Sequence, residues 1–276
     1  MKEDSSIFLR KIRSLNLKMC DMWVNEALFG FFHIKEYCKK LKKNDNVLEI
    51  GCGSGILLNL LLENFKDINF EGIEPFGDGF SSLTKLNSLS KKNGVSIKNI
   101  GYKELSYSRK YDLIFCVNVF EHLYDWRNFL DKISCLLTQD GKIIVLCPNY
   151  GFPYESHFKV PILFNKGITS FIFQKYIRSY EKKNECIGLW KSLNFVKKRE
   201  VINHIKDSIH TKNLKIYDNL SILDFLVERI MNDREFRKRQ KIVGAVAIFL
   251  KGLGILNIFK LFPNFIPYMK LEFSKK

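Results

Sequence analysis

Three glycines at alternate positions, Gly51, Gly53 and Gly55, follow an apolar run in the stretch VLEIGCGSG. Glycine accepts positive φ and leaves room beside the backbone, so a strand-to-helix turn of this composition can hold a ligand closely. The turn lacks the Lys of a phosphate-binding P-loop, and position 56, where a dinucleotide fingerprint has its third glycine, is Ile. Glu49 precedes the turn and could face a cationic group. These residues favour a cofactor with a positive charge over one with a pyrophosphate.

Acidic and imidazole side chains follow the later apolar runs. Glu74 ends the second run, in FEGIEP, where a doubly wound sheet presents an acid to a ribose. The pair Glu121 and His122 follows the run YDLIFCVNVF, and His157 lies in an aromatic segment after the next run. Imidazole exchanges protons near neutral pH, and parallel sheets bind ligands at the rim where their strands end. The pattern indicates acid–base chemistry at the rim that carries the glycine turn.

Near-continuous apolar strands alternate with helical segments, which predicts a parallel sheet covered on both faces. We expect strands at 47–50, 68–73, 95–100, 111–120, 141–148, 195–203 and 268–276. We expect helices at 7–42, 56–65, 80–90, 126–137, 169–180, 185–193 and 219–240, with a loop at 149–165 and an apolar segment at 241–262. The predicted division is a helical N-terminal cap (1–44), a core (45–204), a basic and apolar helical insertion (205–262) and the last strand of the core (263–276).

Five stretches, in order, resemble motifs of the class I S-adenosylmethionine-dependent methyltransferases, in the branch of ubiquinone and other small-molecule O-methyltransferases. They are VLEIGCGSG, FEGIEP, YDLIFCVNVFEHLYD, LLTQDGKIIVLCPN and CIGLWKSLNFVKKREV. The likeness is strong over 45–150 and weaker over 181–204. It implies an α/β fold with a Rossmann-like, doubly wound, seven-stranded and mostly parallel sheet, a helical N-terminal cap and a C-terminal helical insertion. It also implies an enzyme that transfers a methyl group from S-adenosyl-L-methionine.

The resemblance assigns the cofactor site to residues around the glycine turn. The turn backbone would cradle the methionine portion, Glu49 would face its ammonium, and Glu74 would accept from both ribose hydroxyls. Phe76 would either stack on the adenine or pack in the core, and Tyr102 replaces an Asp that often binds the adenine amino group. The predicted cofactor residues are Glu49, Gly51, Cys52, Gly53, Gly55, Glu74, Pro75, Phe76, Tyr102, Asn118 and Val119.

The acceptor site is expected at the same rim of the sheet. His157 and His122 are the predicted catalytic residues, because an oxygen nucleophile benefits from a base whose pKa lies near neutrality. The predicted substrate-binding residues are Glu121, Tyr150, Tyr154 and Glu155. His122 has a structural alternative, which is to cap the following helix. No metal is predicted, because the quinone enzymes use an acid three residues before the Glu, and that position is Asn118 here.

The net charge of +16, from 45 basic and 29 acidic residues, implies an anionic partner. The basic stretch REFRKRQK and the apolar run that follows are typical of a segment at a membrane interface. We therefore expect 234–262 to contact an anionic membrane surface. A transmembrane helix, or a helix buried in a homodimer interface or over the substrate pocket, is the alternative. Nucleic acid is not favoured, because no motif for a flipped base follows the fourth strand.

Seven scattered cysteines without a C-x-x-C pair favour a reducing cytoplasm. We expect O-methylation of a lipophilic or lipid-linked small molecule: a quinone precursor, a lipid head group or a polyprenyl-linked sugar. The protein is expected to be cytoplasmic and peripheral at the inner face of the membrane. Two alternatives stay open. One is a soluble small-molecule methyltransferase that dimerises through its C-terminal lobe, and the other is a non-enzymatic protein that binds the cofactor and a partner.

Overall fold

A computed structural model describes residues 6–15, 20–76 and 83–276, except the side chains of 235 and 238–242. Its strands are β1 (Asn46–Ile50), β2 (Asn69–Ile73), β3 (Ser96–Lys98), β4 (Tyr111–Val117), β5 (Leu137–Pro148), β6 (Tyr154–Glu155), β7 (Val160–Pro161), β8 (Leu214–Asp218) and β9 (Tyr268–Lys275). In the described residues, seven of them form one sheet in the order β3-β2-β1-β4-β5-β9-β8, while β6 and β7 form a small hairpin. β1 to β5 are parallel, and β9 runs antiparallel to β5 and β8. The predicted fold class is confirmed.

Helices cover both faces of this sheet. They are α1 (Ile7–Arg13), α2 (Cys20–Cys38), α3 (Ile56–Asn64), α4 (Thr84–Lys92), α5 (Trp126–Cys135), α6 (Lys166–Lys183), α7 (Leu189–Ser192), α8 (Lys198–Asp207), α9 (Ser221–Asn232) and α10 (Arg234–Gly252). α1 to α4 and α9 pack in one core cluster, and α5 and α8 pack in the other. The first three residues of the helix predicted at 80–90 lie outside the described residues.

Neighbouring strand residues enter opposite clusters, which explains why the strands read as continuous apolar runs. Val47 of β1 belongs to one cluster and Leu48 to the other. Phe115 and Cys116 of β4 divide in the same way. A strand buried on both faces has no solvent-facing positions, so alternation with polar residues disappears. Because these strands are parallel, the carboxyl ends of β1, β2, β4 and β5 lie at one rim of the sheet.

The strand predicted at 195–203 is wrong, because most of that segment belongs to helix α8. Val201 and Ile205, four residues apart, are both fully buried against the sheet, which is helical spacing. The sixth strand of the sheet in chain order is instead β8, which lies at the edge of the sheet and inside the range predicted to be a helical insertion. Its sequence LKIYD was missed because it is a short edge strand with charged residues.

An exposed apolar surface follows α9. α10 ends at Gly252. Gly254, with a φ of 71°, then turns the chain into a 3-10 segment, Ile255–Leu261. In the described part of the chain, no single helix has the length and apolar composition to cross a membrane. One bent pair, Val243–Gly252 with Ile255–Leu261, meets those two criteria together, with an angle of 106° between its halves. We call this pair, with the residues up to Phe265, the C-terminal hairpin.

Candidate active site

The glycine turn lies between β1 and α3, and all three of its glycines have positive φ. The values are 68° at Gly51, 48° at Gly53 and 72° at Gly55, a region that other residues enter only with strain. A Cβ at Gly51 would lie 2.5 Å from Cγ2 of Val119. The turn thus needs glycine for its backbone and for its contact with the chain after β4. This brings Val119, one of the predicted cofactor residues, beside the turn.

Glu74 is held at the same turn by two backbone hydrogen bonds. The amides of Gly53 and Phe76 donate to its two carboxylate oxygens, each over 2.9 Å. Burial raises the pKa of Glu74, and these two hydrogen bonds oppose the rise. Phe76, which is half-buried, and exposed Pro75 complete the edge of the turn. The predicted ribose-binding acid and the glycines therefore occupy one continuous surface.

Glu49 is buried below the turn, and its Oε2 atom has no hydrogen-bond partner among the described residues. Burial, aided by the charge of Glu74, raises its pKa to about 8. An isolated buried carboxylate is unfavourable unless a cation pairs with it. A cofactor with an ammonium group fits this site, because that cation would supply the missing partner. Glu49, Glu74 and the turn backbone are therefore the residues that would hold it.

The side chain of Tyr102 contacts the segment around α5, and its role at the adenine stays a prediction. Its hydroxyl donates to the carbonyl oxygen of Asp125 over 3.3 Å, and its ring packs edge-on against Phe129 of α5. Cys52, in contrast, is buried inside the turn, and its Sγ would lie 2.7 Å from a Cβ at Gly72. Cys52 therefore fits a backbone and packing role in the cofactor site, whereas Tyr102 packs on α5.

The predicted acceptor residues form one cluster at the ends of β4 and β5. Nε2 of His122 and Nε2 of His157 each lie 3.9 Å from Oε1 of Glu121, and the two rings meet edge-to-face at 5.5 Å. Glu121 is fully buried, and neither of its carboxylate oxygens has a hydrogen-bond partner in the described structure. Two imidazoles and one unsatisfied carboxylate thus share a small space.

Glu155 holds the imidazole of His157 in place by a hydrogen bond. Its carboxylate accepts from Nδ1 of His157 over 2.7 Å and from the backbone amide of Phe158 over 2.6 Å. The Tyr150 hydroxyl also donates to it, over 3.3 Å. Tyr154 precedes Glu155 in the β6–β7 hairpin and is half-buried. The loop therefore uses one buried acid to hold an imidazole toward Glu121.

Burial and charge give the three cluster residues very different pKa values. Burial raises the pKa of Glu121 to about 7, although the nearby His157 lowers it in part. Burial lowers the pKa of His122 to about 3, and Nδ1 of that ring lies 2.8 Å from Oγ of Ser192. Burial also disfavours protonation of His157, but the charge and hydrogen bond of Glu155 outweigh it and raise the pKa to about 9. At neutral pH, His157 is therefore cationic and His122 neutral.

A family model described as a methyltransferase domain matches residues 29–180, which is more than half of the chain. The matched range includes the glycine turn and the acceptor cluster of Glu121, His122 and His157. The chain belongs to the methyltransferase family. The predictions of a class I S-adenosylmethionine-dependent methyltransferase, and of S-adenosylmethionine as its cofactor, are confirmed.

The methyltransferase has relatives of low identity. It is 28% identical over 232 residues to an uncharacterized protein of Mycobacterium tuberculosis (strain ATCC 25618 / H37Rv), covering 82% of this chain and 77% of that protein. It is 24% identical to the ubiquinone biosynthesis O-methyltransferase of Rickettsia prowazekii (strain Madrid E) over 160 residues, 52% of this chain and 61% of that enzyme. The plantazolicin methyltransferase BpumL, solved with a triazolic desmethylPZN analog and SAH, has a TM-score of 0.50 at 14% identity, with 99% of this chain and 87% of that chain covered. That structure shows the shared fold.

Sequence reasoning missed two residues of the methyltransferase site, Glu26 and Tyr268. The side-chain amide of Asn118 donates to Glu26 Oε2 over 2.6 Å, and the Tyr268 hydroxyl donates to Asn118 Oδ1 over 2.6 Å. Glu26 lies on α2 of the cap, and Tyr268 begins β9. The sequence around each of these residues contains no motif that points to the site, because each reaches it only through the packing of distant elements.

Glu121, His122 and His157 are also close enough to hold one cation, since one ligand atom of each lies within 4.8 Å of the others. At neutral pH the attraction between the His157 imidazolium and its two carboxylate neighbours already holds this group together. The expectation that the methyltransferase binds no metal stays a prediction.

Proposed function

We propose that this methyltransferase methylates an oxygen nucleophile of a lipophilic or lipid-linked small molecule, with Glu121 as the general base. The observation that carries the proposal is the Glu121 carboxylate, which is fully buried and lacks hydrogen-bond partners among the described residues. Bound S-adenosylmethionine supplies an electrophilic methyl group with a good leaving group. The protein must then align the acceptor and remove its proton, and a base with a pKa near 7 suits that task.

The cluster supports separate roles for its members. Glu121, first expected to bind substrate, is the group best able to accept a proton at neutral pH. His157 is cationic below about pH 9, so it orients Glu121 and stabilises its charge. His122 stays neutral, and its contact with Ser192 leaves Nε2 on the side of Glu121. We therefore place the two histidines as positioning residues beside the base.

Exposed apolar surfaces on the elements next to the acceptor loop support a lipophilic acceptor. The side-chain amide of Asn149 donates to the carbonyl oxygens of Asn264 and Ile266 over 2.9 and 2.8 Å, which fastens the C-terminal hairpin to the loop. The most exposed apolar residues of this hairpin are Phe249, Leu253, Ile258, Leu261, Phe262 and Phe265. α6, which follows the loop in the chain, exposes Phe171 and Ile172. Exposed apolar surfaces of this kind suit a protein whose acceptor lies in a bilayer.

The membrane contact proposed here is peripheral and on the cytoplasmic side. The net charge of +16 favours an anionic lipid surface, and all seven cysteines are unpaired, which fits a reducing compartment. A homodimer that covers the same apolar hairpin is the alternative, with a soluble acceptor.

A nitrogen acceptor is a second candidate, supported by the charge of the site. The charges of Glu155, Glu121 and Glu26 act together on His157. Such a surplus of carboxylates would stabilise an ammonium group, whose proton Glu121 could also accept before methyl transfer.

The test uses S-adenosylmethionine labelled on the methyl group, with a membrane-lipid extract and an aqueous extract of cells as separate acceptor sources. We expect label in the lipid extract, and a loss of about 10²-fold in Glu121→Gln, because general bases contribute about 10²- to 10⁴-fold. The affinity for S-adenosylhomocysteine, measured by calorimetry, should be unchanged in this variant. Label in the aqueous extract alone would contradict the lipophilic acceptor, and full activity of Glu121→Gln would contradict the base.

A further inference from the structure

Glu26 connects the helical cap to the acceptor site through a chain of hydrogen bonds. Asn118 stands at its centre, donating from Nδ2 to Glu26 and accepting at Oδ1 from the Tyr268 hydroxyl. Both bonds measure 2.6 Å, so the two ends of the Asn118 amide are bound and its orientation is fixed. The chain joins α2, the segment after β4, and the start of β9, three elements that are far apart in sequence.

Asn118 controls the backbone that carries the base. Its φ is 54°, an unfavourable value for a residue with a side chain, which persists where surrounding contacts hold it. Its backbone amide donates to the carbonyl oxygen of Leu146 over 2.8 Å. Val119, which contacts the glycine turn, comes next, and Glu121 follows two residues later. Holding Asn118 therefore holds both the cofactor side and the acceptor side of this segment.

Glu26 also places a negative charge beside the cluster. Burial lowers the pKa of His157, Glu155 raises it most, and Glu121 and Glu26 raise it further. The charged and titratable groups that face His157 are therefore Glu155 on its own loop, Glu121 and His122 after β4, and Glu26 on α2. The charge of Glu26 favours the imidazolium that holds Glu121 in place.

We propose that Glu26 is a positioning residue of the methyltransferase site, which fixes Asn118 by hydrogen bonding and thereby holds the segment that carries Val119 and Glu121. Its role in methyl transfer rests on the proposed function of Glu121 as the base. The cap that carries it is thus part of the acceptor site as well as a cover for the sheet.

The test separates the hydrogen bond from the charge. Glu26→Gln keeps an acceptor for Asn118 and removes the charge, whereas Glu26→Ala removes both. Glu36→Gln and Glu36→Ala, on the exposed side of the same helix, are the matched controls. The readouts are the titration of the His157 imidazole by NMR, assigned with His157→Gln, and incorporation of labelled methyl into the membrane-lipid extract.

We expect the His157 titration to move to lower pH in Glu26→Gln, because an anion that favours the imidazolium is lost. It should not move in Glu36→Gln. Glu26→Ala should lose about 10- to 100-fold of label incorporation, since small displacements in a site have effects of this size. Label incorporation in Glu26→Ala that equals that of Glu36→Ala would overturn the proposal. If the lipid extract is not methylated by the unmodified protein, the proposed acceptor class fails, while the titration still decides the placement of Glu26.

Discussion

Glutamate and histidine side chains in water titrate near 4.3 and 6.5, but the acceptor cluster separates these values widely. Burial disfavours every charged form, so it raises the pKa of Glu121 and lowers that of His122. His157 moves in the opposite direction to His122 because Glu155, which is hydrogen-bonded to its ring, raises its pKa most, and Glu121 and Glu26 raise it further. The carboxylates around it thus decide which histidine carries the charge.

The methyl-transfer rate should therefore depend on pH with two limbs. Below about pH 7, Glu121 is protonated and cannot accept the acceptor's proton, so the rate falls as the pH falls. Above about pH 9, His157 loses its proton and no longer supports the Glu121 charge, so the rate falls again.

The measurement is label incorporation into the membrane-lipid extract from pH 5 to 10, in the unmodified protein and in Glu155→Gln. Glu155 favours the His157 cation, so its replacement should move the fall in rate at high pH to lower pH. The fall in rate at low pH should remain. A rate that does not change with pH in either protein would rule out both assignments.

Among the elements, α8 and β8 depend on each other through a buried ion pair. Lys198 is 1% exposed, and its Nζ lies 2.8 Å from Oδ2 of Asp218 on β8. Burial lowers the pKa of Lys198, and Asp218 opposes that shift. The edge strand that sequence reasoning missed is thus tied to the helix it mistook for a strand.

We expect Asp218→Ala to lower the free energy of unfolding by about 3 kcal/mol, because it leaves a buried cation without its partner. Urea unfolding followed by circular dichroism measures the change. Lys215→Ala, an exposed position on the same strand, should change it by less than about 0.5 kcal/mol. Adding Lys198→Met to Asp218→Ala should restore most of the loss, and failure to do so would contradict the ion-pair explanation.

For the whole molecule, charge and exposed apolar area predict binding to anionic membranes. Vesicles of phosphatidylcholine with about one quarter phosphatidylglycerol should sediment the protein, and vesicles of phosphatidylcholine alone should sediment less. Replacing Phe249 and Phe262 by Ser should reduce the bound fraction, because both rings are exposed on the C-terminal hairpin.

Tyr107→Ser is the control. Tyr107 is 57% exposed, as is Phe262, but it lies beside α5 and outside the C-terminal hairpin. Equal sedimentation of the hairpin variant and the control would reject the membrane contact. Sedimentation velocity without lipid covers the alternative: a dimer that only the hairpin variant dissociates would identify the hairpin as a subunit interface.

The sequence by itself determined the fold class, the cofactor and the position of the glycine turn, because these depend on local chemistry. Positive φ at Gly51 requires a particular residue type at a particular place, and strands buried on both faces must be apolar throughout. The alternation from β1 to β5 was predictable for the same reason. The segment at 195–203 was not, since its short apolar spacing suits a strand or a helix until α8 packs on the sheet.

Only the tertiary structure decided the charge states and partners of the acceptor cluster. Glu26 and Asn118 are 92 positions apart, and no local pattern connects them. Glu121 was identified as a site residue, but its suitability as a base depends on burial and on the distance to His157. Residue types and turns follow from nearby chain, whereas a pKa depends on everything that folding brings within a few ångströms.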